Sequence, residues 1–520
     1  MKKAKIFSLL SVTMIGVLIT SCSKTELDRV NRNLNNPTNV QAKFIITDLI
    51  TSTAFNVAAG DISLYSSIYV EHEAGVWNQT YNAETRTGEP QSATTYNNAW
   101  GSIYNNIKAA KIAIAKTSEG GDEAGNDVTC GIAKVLLAYN LGVLTDFFGD
   151  VPFSQSGITN PDGSPAFMQP EIEKQSALYP QILALLDEAI VLFASTDHGP
   201  GGGVSDQDLL YGGSKGSWLK AAYGLKARYT MRTLKVSADV NGDLAKVLDY
   251  VSKSFESPDD EMLFNVYDGS TQLNPLFGFS NTRDALGVSQ SLATKFKDLN
   301  DPRGEQAFMD YDFVQLTLDD ALAAAAPNGT PLQQQFVYPI SMAEYATTAP
   351  TEMLSYHEIK FLEAEALVRL GQTADAEPVL QDAITAAFAN LERSLNSTND
   401  SYDLGATIDL GETVATDYFT NQVLPRFATD PLKETMLQKY LAFYGASGES
   451  TEAYNDYRRL KALNEQDFIG LANPLNAQNK FPLRFGYGNS DVSANPNIKS
   501  AYGDGSYVYS ENVWWAGGSR

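Results

Sequence analysis

Cysteine is nearly absent from this chain: Cys22 and Cys130 are the only two among 520 residues. If one of them is consumed by modification, no intramolecular disulfide can form, and a domain of this size must hold itself by burial. Histidine is almost as scarce. His72, His198 and His357 stand far apart with no cysteine pair beside them, which gives no transition-metal site. Basic residues are outnumbered, 38 against 62 acidic ones, for a net charge of −24. Such acidity argues against a nucleic-acid partner and against electrostatic attachment to anionic lipid. No stretch beyond residue 21 approaches a transmembrane helix. Strands do not alternate with helices, so a doubly wound α/β fold is excluded. What is abundant is aromatic: 26 Tyr and 24 Phe.

The N-terminus carries an address. Lys2, Lys3 and Lys5 precede an apolar run from Ile6 to Leu18, too short for a membrane span but suited to an export signal. The run ends on Ile19-Thr20-Ser21-Cys22, with the thiol where a bacterial lipoprotein signal places its acylated cysteine. Residues 1–21 are therefore expected to be a signal peptide, with Cys22 lipidated. Residues 22–42, polar and Asn-rich, read as a tether. Residues 43–520 read as a single helical domain.

Helical periodicity dominates that domain. It is expected from about Phe44 to Ala58, Tyr96 to Lys116, Val128 to Phe148, Leu178 to Phe193, Ser217 to Arg232 and Asp243 to Val251. Glu352–Leu370 and Asp375–Leu391, joined by Gly371-Gln372-Thr373, form a helical hairpin of tetratricopeptide-like length. Lys433–Tyr444 and Glu452–Leu460 are helical again. Gly60–Thr95, Phe264–Gln333 and the tail from Phe481 show no sustained period and read as irregular insertions. The fold class is all-α: a TPR-like scaffold of helical pairs with long loops.

Several motif-like stretches are discounted. Gly212-Gly213-Ser214-Lys215-Gly216 fits G-x-S-x-G, but no strand precedes it, so Ser214 or Ser217 is expected to cap a helix. Asp239-x-Asn241-Gly242-Asp243 lacks the spacing and closing Glu of a calcium loop and reads as a cap or turn, with Asp243 expected to cap the helix that runs to about Val251. Gly199–Gly203 has no Gly-Lys-[Ser/Thr] after it and is no phosphate loop. Glu363 and Glu365, two apart on a helix, face different ways. Asp319-Asp320 reads as a solvated helix end. Cys130, between Val128 and Ile132, is expected to be a buried thiol.

An ordered set of motifs then resembles one family, the SusD/RagB-like lipoproteins. They are Trp100-x-x-x-Tyr104, Thr145-Asp146-Phe147-Phe148-Gly149-Asp150-Val151-Pro152-Phe153, and Tyr211-Gly212-Gly213 with Trp218, Arg228 and Arg232. Asn300-Asp301-Pro302-Arg303, Phe361-Leu362-Glu363-Ala364-Glu365-Ala366, Gln438-Lys439-Tyr440, Asp456-Tyr457-Arg458-Arg459 and Pro482-x-Arg484-x-x-Tyr487 follow in order. The likeness spans the mature chain and is nearest the branch with the D-x-F-G-D-V-P helix end. It implies a TPR-like SusD fold and a lipid-anchored, surface-facing protein of the outer membrane. It also implies a lid on a TonB-dependent SusC-like transporter, capturing nutrient, commonly oligosaccharide, without catalysis or cofactor.

Aromatic platforms differ within that family, so the ligand residues are sought by chemistry. Sugar C–H faces stack on aromatic rings, while hydroxyls need amide, carboxylate or guanidinium partners. Tyr65, Tyr69, Trp77, Asn78, Tyr81 and Arg86 offer that mixture in one insertion, and Phe277 and Phe279 form a second candidate. A peptide-binding member of the family and a surface glycoside hydrolase with a carboxylate pair remain the alternatives.

Overall fold

The computed structural model describes residues 40–87, 95–160 and 164–520. The expected signal peptide, Cys22 and nearly all of the expected tether fall outside the described residues. Helix accounts for 58% of the structure and strand for 5%, so the fold is all-α as expected. Its spine is a series of helices in which each packs on the next. Asn97–Thr117 lies on Asp127–Phe148, then come Gln175–Leu192, Lys215–Arg232 and Val240–Val251. Val240–Val251 also meets Tyr356–Arg369, the first arm of the hairpin completed by Thr373–Tyr402. This is the TPR-like arrangement, and Ala42–Arg520 forms one compact unit.

Local chemistry sets the helix starts. Ser214 Oγ accepts from Ser217 N, Ser355 Oγ accepts from Glu358 N, and Asp430 caps a helix that opens on Pro431. Asp239, not Asp243, caps Val240–Val251 by accepting from Gly242 N at 3.0 Å. Asp319 and Asp320 sit exposed in the first turn of Leu318–Ala324. Cys130 is buried.

Several expectations are corrected. The Phe264–Gln333 stretch holds the helices Pro275–Arg283, Gln290–Asp298 and Leu318–Ala324, and the tail holds Asn489–Ala494 and Pro496–Tyr502. The Gly60–Thr95 stretch holds two helices, Asp61–Tyr69 and Asn78–Glu84. From Ile62 to Tyr69 every residue is buried, so no polar stripe exists to mark a period. The hairpin's second helix runs to Tyr402, well beyond Leu391. Asp127–Phe148 is long and apolar enough to cross a bilayer, contrary to the sequence reading, but 94% of its apolar window is buried in the protein.

Strands serve only as clips. Glu73–Gly75 pairs with Leu286–Val288, Met262–Phe264 with Thr351–Leu354, and Phe308–Met309 with Ile340–Ser341, all antiparallel.

The motif residues converge on a buried lattice of charge and aromatic rings. Arg228 Nε donates to Glu358 at 2.7 Å, Arg232 pairs with Glu452, and Arg303 Nη2 reaches Asp301 at 2.6 Å. Lys439 pairs with Asp456 at 2.7 Å. Gly149 ends its helix at φ +77°, and a Cβ there would stand 2.2 Å from Arg484, which donates to Phe148 O. Only glycine satisfies both demands. Trp100 Nε1 donates to Asp491 at 2.6 Å, with its ring on Tyr104, Phe148 and Tyr487. Buried ions endure only when paired and hydrogen-bonded, so these motifs record the scaffold.

Candidate functional site

Four segments enclose a cleft of about 600 Å³. The first is a π-helical turn, Thr53–Ala58, that continues the helix Ala42–Ser52. Its wider winding, closed by Ala59 N donating to Ala54 O at 3.1 Å, places Phe55 and Asn56 on the cleft wall. The chain then turns at Gly60, where a Cβ would lie 2.5 Å from Asn56 O, and Asp61 opens the next helix into the cleft. The third wall is the start of Asn97–Thr117. Asn97, Gly101 and Asn105 recur every four residues and form one stripe, with Asn98 and Ser102 beside it.

The last wall is the helix Pro275–Arg283. Asn274 caps it by accepting from Leu276 N and Phe277 N, and Pro275 occupies the first position. Leu276 and Phe279 thereby reach the cleft. Phe279 also lines an adjoining depression of about 160 Å³ that holds Trp77, Asn78, Arg283 and Gln335. Trp77 is 38% exposed, and Thr80 Oγ1 holds its carbonyl at 2.8 Å while also reaching Ala285 O at 2.6 Å.

The cleft is polar without being strongly charged. Burial pushes the Asp61 carboxyl above its ordinary value, while the Asn98 hydrogen bond (3.3 Å) and the Arg283 charge pull it back. Among the described residues lining this cleft, Asp61 is the sole carboxylate. Amides supply donors and acceptors, and Phe55, Phe279 and Trp77 supply apolar faces. That combination suits a hydroxyl-rich ligand with C–H faces.

Of the residues singled out from sequence, the structure brings Trp77, Asn78 and Phe279 together. It places the others elsewhere. Tyr65 and Tyr69 are buried; their rings stack at 6.4 Å, and Tyr69 shares a 2.6 Å hydroxyl contact with Tyr96. Arg86 is buried over the Tyr69 ring at 4.8 Å, and Phe277 is buried edge-on to Tyr345. Tyr81 is half-buried and does not line the cleft. Large aromatics in this stretch mostly complete the core, because its helix is enclosed on every side. Sequence reasoning missed Phe55, Asn56, Asp61, Asn97, Asn98 and Asn105. The Asn97–Gly101–Asn105 stripe was the available signal.

One buried cluster bears on metals. Glu261, Glu352 and His357 bring one donor atom each within 4.8 Å of one another, a grouping invisible in the sequence. Most of its polar atoms serve the fold, whereas His357 Nδ1 is buried with no hydrogen-bond partner among the described residues. Glu261 accepts from Tyr356 N (2.9 Å), Glu352 from Arg393 (2.8 Å), and His357 Nε2 bonds Glu449 at 2.8 Å.

The fold and cleft define an all-helical, TPR-like ligand-binding protein. The chain belongs to the SusD-like family: residues 34–488 match the family model described as starch-binding and associating with the outer membrane. It is similar to a SusD/RagB family protein from Bacteroides thetaiotaomicron, at 49% identity and TM-score 0.87, over 93% of this chain and 100% of that one. A chitin-binding SusD homologue from Flavobacterium johnsoniae shares the fold at 18% identity and TM-score 0.66, over 91% of this chain and 98% of that one. Another chitin-binding protein does so at 21% and 0.65, over 91% and 99%. No curated protein matches the chain.

Proposed function

We propose that this protein is a surface-exposed outer-membrane lipoprotein that captures an oligosaccharide and delivers it to a TonB-dependent SusC-like transporter. On this reading residues 1–21 are removed, Cys22 carries the lipid, the residues after it up to Gln41 are the tether, and the helical unit from Ala42 to Arg520 presents the ligand. The observation that carries it is the cleft between Asn56, Asn98, Asn105 and Phe279, continued by Trp77: amide groups for hydroxyls beside rings for sugar faces. Starch and chitin, named for the family model and for two structural relatives, are the first ligands to try.

The protein acts by binding rather than by turnover. A glycosidase flanks the scissile bond with two carboxyl groups about 5–9.5 Å apart. Asp61 has no such companion among the described cleft residues, and it is already hydrogen-bonded to Asn98. Titration calorimetry against malto- and chito-oligosaccharides, a peptide pool, and chromatography of the mixtures test the reading. Glycan heat without new products supports it. Product formation, or binding confined to peptides, overturns it.

A further inference from the structure

The geometry points to a second sugar subsite at the Tyr311–Phe336 groove, extending the cleft so that the protein holds a neutral glycan chain rather than a short unit. This rests on the reading of the cleft as a glycan site. The groove encloses about 470 Å³. Phe336 stands 62% exposed, edge-on to Tyr311 with ring centroids 4.9 Å apart. Its backbone is left-handed, φ +60°, a conformation that bulky side chains rarely adopt and that costs roughly 1–3 kcal/mol. A solvent-facing Phe gains little by burial to offset that strain, so the strain is retained for what the ring presents.

The groove continues the cleft. Gln335, the residue before Phe336, lines the Trp77 depression and donates to Arg283 O at 2.8 Å. Tyr338, which lines the groove, packs on the cluster of Ala74, Val76 and Ala326, of which Val76 precedes Trp77 in sequence. Phe279, Trp77 and Phe336 thus mark one path, with bonded or packed segments joining each step.

The lining chemistry selects the occupant. Asp310, Asp312 and Asp320 line the groove, and no lysine or arginine is among its described lining residues. Asp310 Oδ1 already accepts from Val314 N and Asp320 Oδ2 from Thr317 Oγ1, which leaves the second oxygen of each for a ligand. Carboxylates accept sugar hydroxyls while the Phe336 ring offers a stacking face. Protein interfaces instead deplete charge at their centre. Uronates and sulfated sugars would meet three carboxylates in a chain of net charge −24, so the glycan is neutral.

Calorimetry with the full-length protein tests this, using maltotriose against maltoheptaose, chitotriose against chitohexaose, and a galacturonate heptamer. One neutral series should gain about tenfold in affinity from short to long, and the galacturonate should not bind. Phe336→Ala should erase the gain yet leave trisaccharide affinity unchanged. Phe336→Gly should do the same while raising Tm, because glycine accepts φ +60° without strain. A length gain that survives in both variants would overturn the subsite and leave the cleft reading intact. Galacturonate binding would overturn the neutral-ligand assignment. Loss of a transporter from detergent extracts with the length gain preserved would make Phe336 a docking residue instead. Absence of binding to every glycan would overturn the cleft reading and the subsite with it.

Discussion

The guanidinium of Arg459 grips the Glu365 carboxylate with two parallel bonds, Nη1 to Oε1 at 2.6 Å and Nη2 to Oε2 at 2.7 Å, and both side chains are fully buried. The pair joins Tyr356–Arg369 to Ser450–Leu463 and is reinforced by Asp456 and Arg369. Burial pushes the Glu365 carboxyl up, but Arg459 and Arg369 outweigh it and hold it down at about 2. Removing one partner strands the other charge. Glu365→Gln should destabilise the protein by about 3 kcal/mol, with a lower urea midpoint as the readout. Its folded value lies below the unfolded 4.5, so the pair's stabilisation is present above pH 4.5 and lost as pH falls toward 2.

Glu84 behaves in the opposite sense. It accepts from Gly329 N at 2.6 Å and Gly75 N at 3.3 Å, yet burial raises its carboxyl from 4.5 to about 7. The folded state therefore holds a proton that the unfolded chain has released. The contribution is complete below pH 4.5 and is lost as pH rises through 7, up to roughly 3 kcal/mol. Thermal melts from pH 5 to 8.5 should show the stability difference between wild type and Glu84→Gln moving in the variant's favour as pH rises. A pH-independent difference would contradict the assignment.

Two aromatic substitutions separate core from cleft. Tyr69→Ala should cost about 3–5 kcal/mol, because it empties a fully buried site and strands the Tyr96 hydroxyl. Trp77→Ala should cost clearly less stability than Tyr69→Ala, since Trp77 is 38% exposed, and weaken glycan binding about tenfold, as measured by calorimetry.

Anchoring has its own test. Cys22→Ser should move the protein from the membrane fraction to the soluble fraction with an unchanged melting curve. Retention in the membrane would contradict lipidation at Cys22.

Much of the scaffold was readable in the sequence, because partly exposed helices such as Asn97–Thr117 and Val240–Val251 alternate apolar and polar faces. Asp61–Tyr69 was not readable, since a helix buried all round has no face to reveal. Pro275–Arg283 shows no sustained period in sequence, and Asn274-Pro275, a cap followed by proline, is its one start signal. The site was legible only in part for a related reason. Aromatic content alone does not say which side faces solvent: Tyr65 and Tyr69 turn inward, while Trp77, a few residues on, turns out. The asparagines lie in separate segments that only the fold assembles, Asn56 on a π-helical turn and Asn97, Asn98 and Asn105 on the next long helix. The family motifs were the clearest signal, and they describe the charge lattice rather than the ligand.

The central claim, that the cleft captures glycan, is tested most directly at Gly101. A Cβ at this position meets nothing within 4 Å, so Gly101→Leu gains about 1 kcal/mol of helix propensity while its side chain fills the cleft. Calorimetry with maltoheptaose and chitohexaose should show binding to the wild type, at least a tenfold loss in the variant, and an equal or higher Tm. Undiminished glycan binding by a folded Gly101→Leu protein would contradict the account.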